Sequence, residues 1–187
     1  MNNKVSNLLK NFSYTLVSNF LSLLISILVV LIIPKLIGIE EYGYWQLYLF
    51  YSSFVGFMHF GWNDGIYLRY GGKEYKDLDR NLLFSQFLML VFLQIIIAIL
   101  ITISGYLLFF DENRIFIIQM TSICLVIINA RLMLLYILQC TYRIKEYAIV
   151  TIMSRILYFC LITFFLIFGI RNYKFMIIAD IISNFFS

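Results

Sequence analysis

Charged residues, proline and cysteine are scarce in this chain of 187 residues. Only 13% of the residues are Asp, Glu, Lys or Arg, whereas about 25% are charged in an average soluble domain. This deficit excludes a water-soluble globular domain, and the single proline and nine glycines exclude a collagen or a flexible linker. Cys124, Cys140 and Cys160 have none of the spacings of metal or redox sites, so we interpret them as packing residues. No motif in the sequence implies a cofactor.

Apolar residues are abundant: 63% of the chain is hydrophobic, and the mean hydropathy is +0.92. Nearly charge-free runs recur along the sequence, and a transmembrane helix needs about 20 mostly apolar residues. We therefore predict an all-α protein, a polytopic integral membrane helix bundle that forms one membrane domain over residues 1–187. The predicted spans lie near residues 12–33, 44–62, 83–108, 115–140, 148–168 and 175–187. The second span either ends at Trp62 or bends at Asn63–Gly65 and runs on to Tyr70.

The sixth predicted span is short. Residues 175–187 comprise 13 residues, which make about 20 Å of helix against a hydrocarbon core of about 30 Å. We therefore expect an incomplete last helix, and a chain that is the N-terminal part of a longer protein.

Lysine and arginine are distributed unequally between the two sides of the predicted bundle. Eight lie on the side of the N-terminus, in the N-terminal segment and in the loops at 63–80 and 141–147, and four lie on the other side. Loops rich in Lys and Arg stay in the cytoplasm, so we predict a multi-pass protein of the cell (cytoplasmic) membrane with a cytoplasmic N-terminus. Membrane orientation accounts for the net charge of +4, so the predicted partner is the lipid bilayer and no nucleic acid is expected.

Two arginines interrupt otherwise apolar spans, and each costs about 2.5–3.5 kcal/mol at a helix centre on insertion scales. Arg131 lies 12 residues before Arg143 and Arg155 lies 12 residues after it, so the two are predicted at similar depth in the inner half of the bundle. Either each snorkels towards the cytoplasmic interface or pairs with Asp64, or the two clamp an anionic substrate. Asp180 is predicted to lie too close to the outer side to be their partner.

The first two spans carry further polar and aromatic side chains. Serines repeating every four residues share one face of the first span, which predicts either close helix packing or one wall of a hydrated cavity. Tyrosines on one face of the second span indicate packing or stacking on sugars, and the single histidine indicates a helix contact or a cavity position. The candidate substrate-binding residues are Asp64, Arg69, Tyr48, Tyr51, Arg131 and Arg155, and the candidate cavity-lining residues are Ser18, Asn19, Ser22, Ser26 and His59.

The connection between the first two spans resembles that of polysaccharide-transport flippases. These proteins export O-antigen and capsule repeat units and belong to the multidrug/oligosaccharidyl-lipid/polysaccharide exporter superfamily. Their pattern of Pro–basic–x–x–Gly–x–x–x–(Tyr/Phe)–Gly is matched by Pro34, Lys35, Gly38, Tyr42 and Gly43. These flippases also tend to have glycine at the end of the second span and an arginine downstream of it. Gly61, Asp64, Gly65 and Arg69 resemble this arrangement.

The resemblance implies 12 to 14 spans in two six-helix lobes around a central cavity, of which this chain supplies the N-terminal lobe and lacks the C-terminal one. It implies an undecaprenyl-pyrophosphate-linked oligosaccharide as substrate, moved from the inner to the outer leaflet, with a proton or sodium gradient as a possible driving force. Two alternatives stay open. One is a membrane enzyme of the same pathways (a polymerase, ligase or acyltransferase), which the short outer loops and the lack of paired intramembrane carboxylates disfavour. The other is a multidrug/cation antiporter, which would favour acidic cavity residues.

Overall fold

The computed structural model describes residues 3–187, with side chains from residue 9 onward. Within these residues the chain forms seven α-helices and two short 3-10 turns, and no strand. The helices are α1 (Asn3–Leu36), α2 (Ile39–Val55), α3 (Trp62–Tyr70), α4 (Arg80–Leu108), α5 (Glu112–Cys140), α6 (Ile144–Ile167) and α7 (Tyr173–Phe185). The predicted all-α bundle is therefore confirmed.

Polar residues in the loops set several of the helix ends. Asp79, Asp111 and Asn172 each accept hydrogen bonds from backbone N–H groups in the first turn of the helix that follows, and so cap α4, α5 and α7. Pro34 lies in the last turn of α1, which ends two residues later, and Gly38 is the N-cap residue of α2. The segment that resembles the flippase pattern, residues 34–43, thus contains the short connection between α1 and α2.

Four helices are long and apolar enough to cross a membrane: Leu9–Leu36 of α1, and the whole of α4, α5 and α6. The other two predicted spans correspond to shorter helices, the 17 residues of α2 and the 13 residues of α7. In α4 the side chains are mostly exposed, with 11% of the apolar window buried, whereas 39% is buried in α5. An exposed apolar surface of this extent is consistent with a membrane protein.

The second predicted span is a broken helix. Regular α2 ends at Val55, a 3-10 turn occupies Gly56–His59, and α3 then continues to Tyr70. Phe60 (φ 48°) and Gly61 (φ 79°) both adopt the left-handed conformation, which interrupts the regular helix between the 3-10 turn and α3. The helical run therefore reaches Tyr70, but its break precedes the predicted bend at Asn63–Gly65.

Helix α5 is the centre of the bundle. It contacts α2, α3, α4, α6 and α7, while α1 packs mainly against α6. One apolar cluster joins α1, α2, α5, α6 and α7 around Trp45, Ile117 and Met176, and a second joins α3, α4 and α5 around Leu90 and Met133. Two polar networks lie within this bundle, one on each side of α5.

The start of α7 is fixed to its neighbours by polar contacts. The backbone N–H of Tyr173 donates to Glu41 Oε2 at 2.6 Å, and its hydroxyl donates to Asn113 Oδ1 at 2.8 Å. Its ring lies 5.1 Å from that of Tyr44. These contacts tie α7 to α2 and α5 and so determine where the rest of α7 projects into the bundle.

Candidate functional site

Asp180 is the centre of the first polar network. Its side chain is buried at 9% exposure in the middle of α7. Tyr48 donates its hydroxyl hydrogen to Oδ2 at 2.8 Å, and Asn184 Nδ2 donates to Oδ1 at 3.2 Å. A buried carboxyl group in a bundle of this kind needs such donors, because an unsatisfied polar group in hydrocarbon costs several kcal/mol.

Arg131 reaches the same network from α5. Its Nη1 donates to Asn184 Oδ1 at 3.4 Å, a long contact, and its Nη2 donates to Ser154 Oγ at 3.0 Å. Its Nε is buried and has no hydrogen-bond partner. Both partners of Arg131 are neutral, and within residues 9–187 no carboxylate oxygen lies within ion-pair distance of its guanidinium. The positive charge of Arg131 is therefore not compensated by a direct contact.

Asn184 connects Arg131 to Asp180. Its amide accepts from Arg131 through Oδ1 and donates to Asp180 through Nδ2. Within residues 9–187 Asp180 forms no direct ion pair with Arg131 or Arg155, in agreement with the expectation that it is not their partner. The two charged groups are therefore linked only through a neutral amide.

Arg155 differs from Arg131 in its surroundings. Its side chain is exposed, whereas the adjacent Ser154 is buried and binds Arg131. Arg131 alone is held in the polar network, and the common depth of the two arginines stays a prediction.

Two aromatic side chains in the apolar cluster that contains Tyr48 carry polar atoms without partners. Trp45 is fully buried and Tyr158 nearly so, and Trp45 Nε1 and Tyr158 Oη are both buried without a partner. Because Tyr48 donates to Asp180, this cluster adjoins the Asp180 network.

The second polar network stabilises the break between α2 and α3. Asn129 of α5 donates from Nδ2 to the Val55 carbonyl at 3.1 Å and to Gln94 Oε1 at 2.8 Å. Gln94 of α4 donates in turn to the Met58 carbonyl at 3.1 Å. Asn63 of α3 donates to the Asn129 carbonyl at 3.2 Å. Backbone carbonyls that lose their helical donors at the break thus receive side-chain amide donors.

Of the other predicted residues, only Tyr48 belongs to the Asp180 network. Asp64 and Arg69 are exposed on α3, and in the described part of the chain Asp64 forms no ion pair with either intramembrane arginine. His59 is buried at the α2–α3 break, where its Nδ1 accepts from the Gly61 N–H at 3.1 Å. Tyr48 belongs to the network, while Tyr51 is half-buried beside the apolar cluster.

The polar residues of α1 vary in exposure. Ser18 is buried, Ser22 is half-buried with an unpartnered hydroxyl, and Asn19 and Ser26 are exposed. Ser18 donates to the Thr15 carbonyl within its own helix at 3.0 Å. Their roles as cavity-lining residues stay predictions, as do the substrate-binding roles.

Sequence reasoning missed the uncharged polar residues of both networks. Gln94, Asn129, Ser154 and Asn184 contact the residues or backbone groups described above, yet none was singled out. The available signal was an amide side chain inside an apolar run, because such a group must find a partner in hydrocarbon. No protein family, curated protein or solved structure matches the chain.

Proposed function

We propose that this protein is a membrane transporter that translocates undecaprenyl-pyrophosphate-linked oligosaccharide repeat units across the cytoplasmic membrane for surface polysaccharide biosynthesis. The observation that carries the proposal is the state of Arg131. A guanidinium inside an apolar bundle, contacted only by neutral groups and with a free Nε–H, has donors and charge available for an anion. Pyrophosphate oxygens match the planar fork of a guanidinium and neutralise its charge.

The broken α2–α3 helix supports a transporter over a membrane enzyme. Irregular backbone at membrane depth is tolerated only where it is buried in protein or lines a water-filled cavity, and many transporters use discontinuous helices in this way. Here the break is satisfied by amides from α4 and α5. Such a break allows α3, with Asp64 and Arg69, to change its angle relative to α2 during alternating access.

In the proposed cycle Arg131 and Arg155 hold the pyrophosphate end of the substrate in the inward-open state. Tyr48 and Asp180 belong to the same polar network as Arg131, and in this cycle they set the net charge that the substrate meets there. Exposed residues of α3 contact the substrate near the cytoplasmic side, where the predicted orientation places Arg69. A proton or sodium gradient is the proposed driving force, and the C-terminal lobe that the resemblance implies would complete the cavity.

One observation favours a second candidate, the multidrug/cation antiporter. Asp180 is a buried acidic residue in the bundle, the feature that such an antiporter requires. Buried ionisable residues in membrane helices mark ion and substrate pathways. In this alternative Asp180 would bind the cation or proton, and Arg131 would lower its affinity by repulsion.

Deletion of the coding sequence in its host separates these candidates. A flippase defect should abolish surface polysaccharide and trap complete lipid-linked repeat units in the inner leaflet, where a glycosidase added to right-side-out vesicles does not reach them. Loss of a polymerase would leave single repeat units accessible from outside. Loss of an antiporter would leave the polysaccharide intact and raise sensitivity to cationic compounds. Unchanged surface polysaccharide would overturn the proposal.

A direct binding measurement tests the site. The purified chain in nanodiscs should bind undecaprenyl pyrophosphate more tightly than undecaprenol, and Arg131→Gln should weaken the pyrophosphate binding roughly tenfold or more, about 1.4 kcal/mol per factor of ten. Arg114→Gln is the matched control, because Arg114 is an exposed arginine at the opposite end of the same helix. Equal effects of the two substitutions would exclude Arg131 as the anion site.

A further inference from the structure

A small polar groove between α3 and α4 shares no residue with the Asp180 network. It has a volume of about 300 Å³, at the lower end of the range of about 300–1,000 Å³ typical of small-molecule sites. We call it the α3–α4 groove. Its lining combines glycine and apolar side chains with one arginine and one amide, in Gly61, Trp62, Gly65, Ile66, Arg69 and Gln86.

Two glycines provide the space of the α3–α4 groove. Gly61, Gly65 and Arg69 are spaced by four residues, so they follow one face of α3. A Cβ atom added at Gly61 or Gly65 would meet no atom within 4 Å. Because a helical side chain leans towards the N-terminus of its helix, Arg69 leans towards Gly65, where no side chain fills the face.

The groove also contains an amide that is free to change its partner. Gln86 lines the groove, and its Oε1 is buried without a hydrogen-bond partner. The amide can therefore turn to donate to a phosphate oxygen or to accept from a hydroxyl group. Among the six lining residues none carries a carboxylate, so the only charge in the lining is the positive charge of Arg69.

A second cation adjoins Arg69. Arg69 Cζ lies 5.8 Å and Lys73 Nζ 5.5 Å from the centre of the Tyr70 ring. Within residues 9–187 neither cation forms an ion pair, whereas Lys76 in the following loop pairs with Glu74 at 2.7 Å. Two positive charges around one ring repel each other unless an anion lies nearby. Charge complementarity therefore favours an anionic occupant.

The course of α3 places Arg69 at the membrane boundary. Asn63 donates to the Asn129 carbonyl of α5, and the Gly72 N–H donates to the carbonyl of Cys140, at the end of α5, at 3.1 Å. The helix therefore runs alongside the last part of α5, and Arg69 lies near the end of both helices. A mostly exposed, charged loop follows at residues 71–79. Lipid phosphates lie at this level, between the hydrocarbon core and water.

We propose that the α3–α4 groove binds the headgroup of an anionic phospholipid of the adjacent leaflet, of the phosphatidylglycerol class. Arg69 binds the phosphate, Gln86 contacts the headgroup glycerol, and an acyl chain passes Trp62, seven residues or about 10 Å further along α3. Nothing in the lining attracts the ammonium group of a zwitterionic lipid. The inference does not rest on the proposed function, because this lipid is resident in the leaflet and occupies Arg69 when no substrate contacts α3.

Trp62 reports directly on occupancy, because brominated acyl chains quench tryptophan fluorescence on contact. The purified chain in phosphatidylcholine nanodiscs should be quenched more by a low mole fraction of brominated phosphatidylglycerol than by the same fraction of brominated phosphatidylcholine. Trp62→Phe should remove this selective quenching, because the other tryptophan, Trp45, is fully buried.

Two matched pairs of variants separate the groove from general attraction to a basic surface. Arg69→Gln should raise the half-saturating fraction of phosphatidylglycerol by about fivefold or more, the value expected for one basic residue near anionic lipid. Lys76→Gln removes the same charge from the adjacent loop and should leave that fraction nearly unchanged. Gly65→Leu fills the groove and should act like Arg69→Gln, whereas Gly43→Leu, at another helical glycine with open space, should not.

Gln86→Leu is a further variant that keeps every charge and the whole of α3. It should also weaken the selective quenching, and it tests the groove where Gly65→Leu does not fold. Unchanged selectivity in this variant, with an unchanged unfolding temperature, would place the lipid outside the groove and overturn the inference.

The other outcomes would overturn the inference as well. Equal quenching by the two brominated lipids would show ordinary contact with the bilayer. Equal effects of Arg69→Gln and Lys76→Gln would show diffuse attraction to the loop. Recovery of Trp62 fluorescence with a polyprenyl diphosphate in preference to unbrominated phosphatidylglycerol would show a substrate site instead of a site for a resident lipid.

Discussion

Tyr48 and Asp180 are 132 positions apart in the sequence, and their side chains meet inside the bundle, with the tyrosine hydroxyl 2.8 Å from Asp180 Oδ2. This hydrogen bond connects α2 directly to α7. The Asp180 carboxyl group is thereby held close to the intramembrane Arg131, and the side chain of Asn184 bridges the two.

Removing the hydroxyl should test that connection. Tyr48→Phe should lower the free energy of unfolding by about 1–3 kcal/mol, because a buried acceptor loses a donor. The combination of Tyr48→Phe with Asp180→Asn should cost less than the sum of the single changes. Thermal unfolding in detergent measures both. Tyr51→Phe on the same helix is the control and should have little effect, whereas strict additivity would show that the bond contributes nothing.

Lysine substitutions should separate the two arginines. Arg131→Lys and Arg155→Lys should each impair transport, because one ammonium group cannot reproduce the bidentate fork. Only Arg131→Lys should also lower the unfolding temperature, since Arg131 alone bonds to Asn184 and Ser154. Normal export with Gln at both positions, at normal protein levels, would refute the clamp.

The amides at the α2–α3 break should be important for stability. Asn129→Leu removes donors to both the Val55 carbonyl and Gln94, and should destabilise the protein by about 1–3 kcal/mol. Gln94→Leu should act similarly, and the double variant should be less than additive. Gln119→Leu, at a less buried position of α5, should be tolerated. Equal losses of stability in the Asn129, Gln94 and Gln119 variants would contradict a specific role of the amides at the break.

The contact between α4 and α5 should depend on one glycine. A Cβ atom at Gly105 would lie 2.7 Å from Cγ2 of Ile118, a β-branched side chain that cannot turn away easily. Gly105→Ala should therefore destabilise the pair by about 1–3 kcal/mol. Gly43→Ala, where no atom lies within 4 Å, is the control and should be neutral or mildly stabilising. Ile118→Ala should rescue the Gly105 variant, and failure of this rescue would show that the contact is not the cause.

Cysteine labelling checks the predicted orientation. With Cys124, Cys140 and Cys160 replaced, a membrane-impermeant maleimide added to intact cells should label Glu40→Cys and spare Lys76→Cys. Both side chains are exposed, Glu40 in the first turn of α2 and Lys76 in the short 3-10 turn between α3 and α4, so the side of the membrane on which each lies decides whether it is labelled. The reverse pattern would contradict the cytoplasmic N-terminus derived from the Lys and Arg distribution.

Much of the fold was predictable because helix formation in an apolar run depends on local composition. The spans at 83–108, 115–140 and 148–168 each fall within or close to one helix. The predicted bend at Asn63–Gly65 lies several residues too late, because the break is stabilised by side-chain amides of α4 and α5 that bind the Val55 and Met58 carbonyls. Propensity at Phe60 itself gives no sign of such a turn.

Only part of the site was predictable. Arg131 and Tyr48 are predicted candidates and belong to the network, whereas Asp180 at its centre is predicted to lie too far out to pair with the arginines. The common depth of Arg131 and Arg155 follows from helix rise alone and stays a prediction. The link through Asn184 depends on the placement of α7 by Tyr173, Glu41 and Asn113. This placement is not encoded in any single segment, so pattern reasoning could not supply it.

The interrupted second helix has a consequence for biogenesis. When α2 and α3 leave the ribosome, the amides that satisfy their broken backbone have not yet been synthesised, since Gln94 and Asn129 come later in the chain. We therefore expect the second helix to reach its final conformation late, after α5 has been synthesised, and to be exposed to quality-control proteases until then.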